Sequence, residues 1–365
     1  MSGLFPGIPT PALIVEKSVL ESNISRVAGF ARSNRKVLRP HVKTHKSPVI
    51  AGLQKKAGIA GITVATLAEA EAFRSEGFGD IFLAYPVVGP DKLERLSALH
   101  RSGRTLVAVD HPFHLEELER EFRDPEKPLE IRLEIDSGLG RCGIETPQIL
   151  AELVARIRRL PGIRLEGLFT HGGKAYSARS REEVGSWADR ECRSVIDSAG
   201  ILAKEGFSGL TLSVGSTPTL EFSSNYPAVS ELRPGNYVFN DGIQVSLGTV
   251  RPEQCSLEVL ATVVSVYSDR FVIDAGSKMV GLDRGIGDDK TPGFGLFRNR
   301  PGWNLARLSE EHGVVTVVPG SVFPTPGERL RFIPNHACVA VNLSSGFFLV
   351  EGERVILKSP VLGRH

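Results

Sequence analysis

Residues 36–48 read KVLRPHVKTHKSP. The first seven form a short β-branched run. It ends beside Lys43, which has His41, His45 and Lys46 for neighbours. Alone, such a run could belong to almost any fold; its recurrence along the chain decides the reading. Comparable runs stand at GITVAT (61–66), DIFLAY (80–85), TLVAVD (105–110), LEIRLEID (129–136), IRLEGLFT (163–170), LTLSVG (210–215) and ELRPGNYVF (231–239). These make eight candidate strands, and their apolar character suits a parallel sheet buried on both faces.

Helical patterns fill most gaps. LAEAEAFRSEG (67–77), KLERLSALHRSG (92–103) and HLEELEREF (114–122) space apolar residues three or four apart. TPQILAELVARIRRLPG (146–162) starts on Thr-Pro and stops at Pro-Gly, and a long helix is expected over 181–206. Eight strand-and-helix units predict an α/β chain with a (β/α)8 barrel; the alternative is an open doubly wound sheet.

The pattern changes near residue 245. Short strand signals with turn-rich breaks take over, including GVVTVV, ERLRFIPN, CVAVNL and GFFLVEGERVILKS. The expected division is a barrel over 1–244 and an all-β domain over 245–365, with the extreme N-terminus free to pack on the latter. Residues 277–302, rich in glycine and charge, suggest a long loop near a site or a subunit contact. No internal repeat or low-complexity tract interrupts the chain.

The 365 residues carry 44 basic and 42 acidic side chains, a formal net charge of +2. That balance points to a small-molecule substrate and not to nucleic acid. Four scattered cysteines (142, 192, 255, 338) do not make a disulfide scaffold, so a reduced, cytoplasmic protein is expected. The N-terminus lacks the basic start and apolar run of a signal peptide, and no apolar stretch is long enough to span a bilayer.

In a barrel, Lys43 would lie at the C-terminal mouth of the first strand, where such folds place their chemistry. A lysine amine can condense with an aldehyde cofactor, and positive neighbours help keep it uncharged. Most lysines, though, are only solvated surface groups. Glycines in EIDSGLGRCG (134–143) would let Arg141 enter the mouth; an ordinary turn pairing Arg141 with Asp136 is the alternative. VGSTPT (214–219) and RPGNY (233–237) offer Gly215, Ser216, Thr217, Gly235, Asn236 and Tyr237 as a phosphate cradle, helped by a helix starting near Thr217. Each is also an ordinary turn sequence. His336 and Cys338 in PNHACVAVN (334–342), if extended, point the same way and could ligate a metal.

PHVKTHKSP in a barrel with a trailing β domain resembles the fold-type III pyridoxal-phosphate (PLP) enzymes. The His-Val-Lys-Thr-His-Lys version resembles the D-serine dehydratase/D-threonine aldolase branch. The resemblance covers nearly the whole chain. It implies that Lys43 carries PLP and handles the Cα proton. It implies too that Arg141 approaches the phenolic oxygen, while His171 and Tyr176 of FTHGGKAY (169–176) surround the cofactor. Arg233 aligns with a racemase arginine that faces the pyridine nitrogen. His336 and Cys338 match a zinc pair, with Mn2+ or Mg2+ as other candidates. Cys338 leans toward dehydratases, because some aldolases carry a carboxylate there. Glu311 and His312 of SEEHG (309–313) would serve as further acid/base groups; a charged turn is the plain alternative.

The implied activity is a PLP- and metal-dependent lyase on D-3-hydroxy amino acids, dehydrating D-serine or a similar substrate to a 2-oxo acid and ammonia. The alternative is a D-threonine aldolase giving glycine and an aldehyde. A non-catalytic PLP-binding regulator is disfavoured by the second domain. The resemblance also implies a homodimer.

Overall fold

The structure, a computed structural model, describes residues 4–285 and 293–364. Strand β1 (Ala12–Glu16) leads directly into helix α1 (Lys17–Ser33), whose buried stripe is Leu20, Ile24, Val27, Ala28 and Ala31. Eight parallel strands come next: β2 (Val37–Leu38), β3 (Ile62–Val64), β4 (Asp80–Leu83), β5 (Arg104–Val109), β6 (Leu129–Glu134), β7 (Ile163–Phe169), β8 (Thr211–Val214) and β9 (Glu231–Leu232). Between them run α2 (Pro48–Lys56), α3 (Leu67–Ser75), α4 (Pro90–Ser102), α5 (Pro112–Glu121), α6 (Pro147–Ile157) and α7 (Arg181–Lys204).

The helix starts are written locally. Ser47, Thr66, Thr146 and Ser180 each accept a bond from the backbone N–H three residues on, and proline stands directly after two of them.

Sheet order is β2-β9-β8-β7-β6-β5-β4-β3. The ends meet: a parallel bridge joins His41 to Thr63, and Thr63 N–H donates to the Pro40 carbonyl at 2.9 Å. The barrel is therefore closed, as the alternation predicts. β2 and β9 are shorter than the sequence suggests because each runs into Arg-Pro (39–40 and 233–234), and proline has no N–H for the ladder.

The strands are not apolar on both faces. Along β6, Ile131 and Leu133 are buried with the main hydrophobic core, while Glu130, Arg132 and Glu134 alternate with them and are also buried. Arg132 is bound to Glu231 and, at 2.6 Å, to Glu166; Arg39 is bound to Glu231 at 2.8 Å and to Asp80. A charged network thus occupies part of the barrel interior, tolerable because each charge is paired. A small apolar cluster of Phe82, Leu106, Ala108 and Phe169 lies beside it.

Leaving the barrel, the chain forms α8 (Gly242–Ser246), then β10 (Leu257–Val266), β11 (Arg270–Ile273), α9 (Ser277–Val280), β12 (Gly295–Leu296), β13 (Trp303–Leu308), β14 (Gly313–Val317), β15 (Arg329–Pro334), α10 (Ala337–Leu343), β16 (Gly346–Glu351) and β17 (Arg354–Pro360). The second sheet runs β13-β14-β11-β10-β1-β16-β17, with β15 also on β10. β1 sits inside it, antiparallel to β10 and parallel to β16. The chain therefore begins in the second sheet, builds the barrel, and returns. Of the glycine-rich 277–302 segment, residues 286–292 lie outside the described residues; its start is α9 and β12 lies near its end.

Candidate active site

Lys43 lies in a single 3-10 turn, Val42–Thr44, just past β2. The turn is fastened from both sides. His41 Nδ1 accepts from Lys43 N–H at 3.4 Å, and buried Thr44 is the acceptor for the Cys338 thiol at 3.3 Å. Lys43 borders two joined lobes of about 340 and 470 Å3 at the C-terminal ends of the barrel strands. Both lobes are lined by His41, Arg141, His171, Gly215 and Arg233. Their size suits a small-molecule site.

The expected positive neighbourhood of the amine is only partly present. Burial, then the charges of Lys43 and Arg233, holds His41 well below its ordinary value. Burial holds His45 at about 3, and Lys46 is paired with buried Glu69 at 3.3 Å. The positive charges lining the smaller lobe besides Lys43 are Arg141 and Arg233. Arg233 is buried, donates to Ser213 Oγ and to the Thr170 carbonyl, and lies over the Phe169 ring. Burial, partly offset by Glu231, lowers it to about 10, so it stays charged at neutral pH.

The proposed phosphate segments converge on the larger lobe. A Cβ at Gly215 (φ +152°) would lie 2.5 Å from Arg233 N, and one at Gly235 would lie 2.8 Å from Thr44 Oγ1. Only glycine permits this close approach. Asn236 donates to Asp241 at 2.6 Å, and its buried Oδ1 has no partner among the described residues; being an acceptor, that oxygen is not the group that would meet a phosphate. Three details differ from expectation. No α-helix starts near Thr217; a 3-10 segment, Leu220–Asn225, stands there instead, so the cradle relies on backbone N–H groups. Thr217 Oγ1 is engaged by Tyr237 N–H at 3.1 Å. The Tyr237 side chain is wholly buried and receives a bond from Gln54 at 2.9 Å, and its N–H is the one that Thr217 takes, so Tyr237 supports the cradle from behind and does not line it.

His171 and Tyr176 face the same lobe. Burial, with Lys43 and Arg141, lowers His171 to about 3, and burial pushes the Tyr176 phenol far up. Both are neutral at pH 7. Glu191 of α7, buried and missed in the sequence, ties their loop to the cradle: it accepts from Gly172 N–H (3.0 Å) and Gly215 N–H (2.9 Å). A lone glutamate among small and apolar residues on the inner face of a helix was the available signal.

His336 and Cys338 reach the larger lobe by a different local structure from the extended strand expected. His336 is the N-cap residue of α10 and Cys338 is in its first turn. Asp241, buried, fixes that turn by accepting from Ala337 N–H at 2.9 Å. Asp283 accepts from His336 Nδ1 at 3.0 Å. Burial alone would lower His336, but Cys338 and Asp283 raise it to about 10. Imidazole and thiol side chains side by side are the donor types that zinc takes. Among the described residues no group of three or more His, Cys, Asp or Glu side chains forms a metal cluster, so this chain offers two ligands and leaves other positions open.

Two family models match: alanine racemase, N-terminal domain, over residues 15–241, and putative serine dehydratase domain over 256–350. The chain belongs to the alanine racemase-like, fold-type III PLP enzymes. It is 35% identical to the D-threo-3-hydroxyaspartate dehydratase of Delftia sp. strain HT23, covering 91% of each chain. It is 33% identical to an Arthrobacter D-threonine aldolase over 94% of this chain and 89% of that one. Among solved structures, a cysteine-to-alanine mutant of D-threo-3-hydroxyaspartate dehydratase, in the metal-free form, superposes with a TM-score of 0.91 at 30% identity over 99% of both chains.

In this fold-type III chain Glu311 and His312 do not line the lobes. They are exposed in the turn between β13 and β14, where Glu311 pairs with Lys278 at 2.7 Å. Within one chain the charged-turn reading of SEEHG is the one observed. Glu134, at the end of β6, was not singled out from sequence, yet it lines the smaller lobe.

Proposed function

We propose that this chain is a PLP- and divalent-metal-dependent lyase that removes water from a D-3-hydroxy amino acid, D-serine or a close analogue, to give a 2-oxo acid and ammonia. The observation that carries this reading is the shared cavity: Lys43, the glycine cradle and the His336/Cys338 pair all border one lobe. When bound, PLP supplies an electron sink at Cα and the cation, with zinc the first candidate, a Lewis acid for the β-hydroxyl.

The residues divide the remaining work. The backbone N–H groups of Ser216, Gly235 and Asn236 would hold the phosphate, with Gly215 leaving room for it, and Arg141 and Arg233 would meet the ring's polar edge. Lys43 Nζ anchors the cofactor and then takes the Cα proton. His41 and His171, held neutral by burial, border the amine without competing for that proton at pH 7. His336 and Cys338 would hold the cation on the side where a β-hydroxyl can reach it.

A second reading, D-threonine aldolase, is supported by the Arthrobacter relative. There the same lobe directs Cα–Cβ cleavage. The homodimer that the family resemblance implies would let Glu311 and His312, exposed away from their own chain's site, meet the barrel of the other subunit. Four free cysteines, Cys338 among them, fit a reduced, cytoplasmic setting.

Mass spectrometry of the products from D-threonine separates the two readings. 2-Oxobutanoate and ammonia support dehydration; glycine and acetaldehyde overturn it in favour of the aldolase.

A further inference from the structure

Glu134 ends β6 with its side chain 5% exposed. It lines the smaller lobe beside Lys43, Arg141 and Arg233. Among the described residues, no donor hydrogen-bonds its carboxylate. Its carboxylate opens onto the lobe and is left available to a neighbouring cation. Its charge partner is Arg141, with Nη2 3.9 Å from Oε1.

The Arg141 backbone is already fixed by other groups. Asp136 Oδ1 accepts from Gly138 N–H and Leu139 N–H at 2.9 Å each. Asp110 Oδ2 accepts from Gly143 N–H at 2.6 Å, and Ile144 bridges back to Ile135. These bonds leave free the Arg141 side chain, 54% exposed at the lobe. A long flexible cation beside a cofactor site pays entropy for each bond it makes unless something restrains it.

We propose that Glu134 is a positioning residue: its carboxylate, at the floor of the smaller lobe, restrains the Arg141 guanidinium toward the bound cofactor. This role rests on the chain binding PLP. The groups facing Glu134 are Arg141, Asp136 and Cys142 on its own loop, Asp110 beyond β5, and Arg233 beyond β9. Burial, only partly offset by Arg141 and Arg233 and helped by Asp110 and Asp136, raises Glu134 to about 7. Its grip on Arg141 is therefore present above neutral pH and fades below it.

The test is a double-mutant cycle on full-length apoprotein titrated with PLP. Wild type, Glu134→Gln, Arg141→Gln and the double variant are compared by cofactor dissociation constant and by the visible band between pH 5.5 and 8.5. Glu134→Gln is nearly isosteric, and its fold is checked by circular dichroism. Each single change is expected to weaken PLP binding about fivefold at pH 8, with the double variant no weaker than Arg141→Gln. The wild-type band should change near neutral pH and the Glu134→Gln band should not. Effects that multiply in the double variant, or a Glu134→Gln protein that behaves as wild type, overturn the inference alone. A wild type that binds no PLP overturns the functional reading and this inference with it.

Discussion

Cys338 Sγ lies 3.3 Å from Thr44 Oγ1, one residue beyond Lys43. One side chain belongs to the second domain and the other to the turn after the first barrel strand. Through this contact the candidate metal pair and the candidate cofactor lysine are held in one place, although they are 295 positions apart in a chain of 365.

The two sites should fail differently. Lys43→Ala removes both anchor and base, so D-serine turnover should fall by at least about a thousandfold. The α-proton of D-serine should then no longer exchange in D2O, as followed by NMR. Near-normal turnover in this variant would remove Lys43 from the mechanism.

Cys338→Ala, or removal of metal by a chelator, should instead leave α-proton exchange in place while product formation drops about a hundredfold or more. Both quantities can be read from one NMR time course. Unchanged elimination by chelated protein would exclude a metal role for His336 and Cys338.

Gly235→Ala should damage the site through crowding. The new Cβ would meet Thr44 Oγ1 at 2.8 Å and the His41 carbonyl at 2.9 Å, on either side of Lys43. A loss of about 1–3 kcal/mol in stability is expected, with PLP binding at least about tenfold weaker. Equilibrium denaturation and absorbance titration check the two effects.

The charged network in the barrel gives a pH prediction. Burial alone would raise Glu231, but Arg132 and Arg39 outweigh it and hold the carboxyl at about 2. Its folded value lies below its unfolded value of about 4.3. Its contribution to stability is therefore full above about pH 5 and lost as pH falls toward 2. Glu231→Gln should cost about 3–5 kcal/mol at pH 7 by leaving Arg132 and Arg39 short of a partner. It should also flatten the acid limb of a plot of Tm against pH.

The barrel was legible because short stretches rich in Val, Ile and Leu recur between helical segments, and PHVKTHKSP marked its mouth; the charges inside β6 and β9 were not, because their partners come from other strands. Helices α1 and α2 were not read, since KSVLESNISRV and PVIAGLQKK mix polar and apolar residues at intervals that only the packed barrel makes plain. PNHACVAVN was read as a strand because Val339 and Val341 alternate with smaller residues; Asp241, 96 positions earlier, caps it into a helix. Tyr237 could not be separated from the cradle, because Gln54 claims its hydroxyl from another element. Glu134 opens the EIDSGLGRCG stretch and Glu191 sits alone among small and apolar residues on the inner face of its helix, but their roles emerge only from the groups that the closed barrel places against them.

The central claim is that Lys43 carries the cofactor. Holoprotein reduced with borohydride and digested should show the pyridoxyl-phosphate mass on the peptide containing Lys43. Label on Lys46, on Lys278 or on any other lysine would contradict the account.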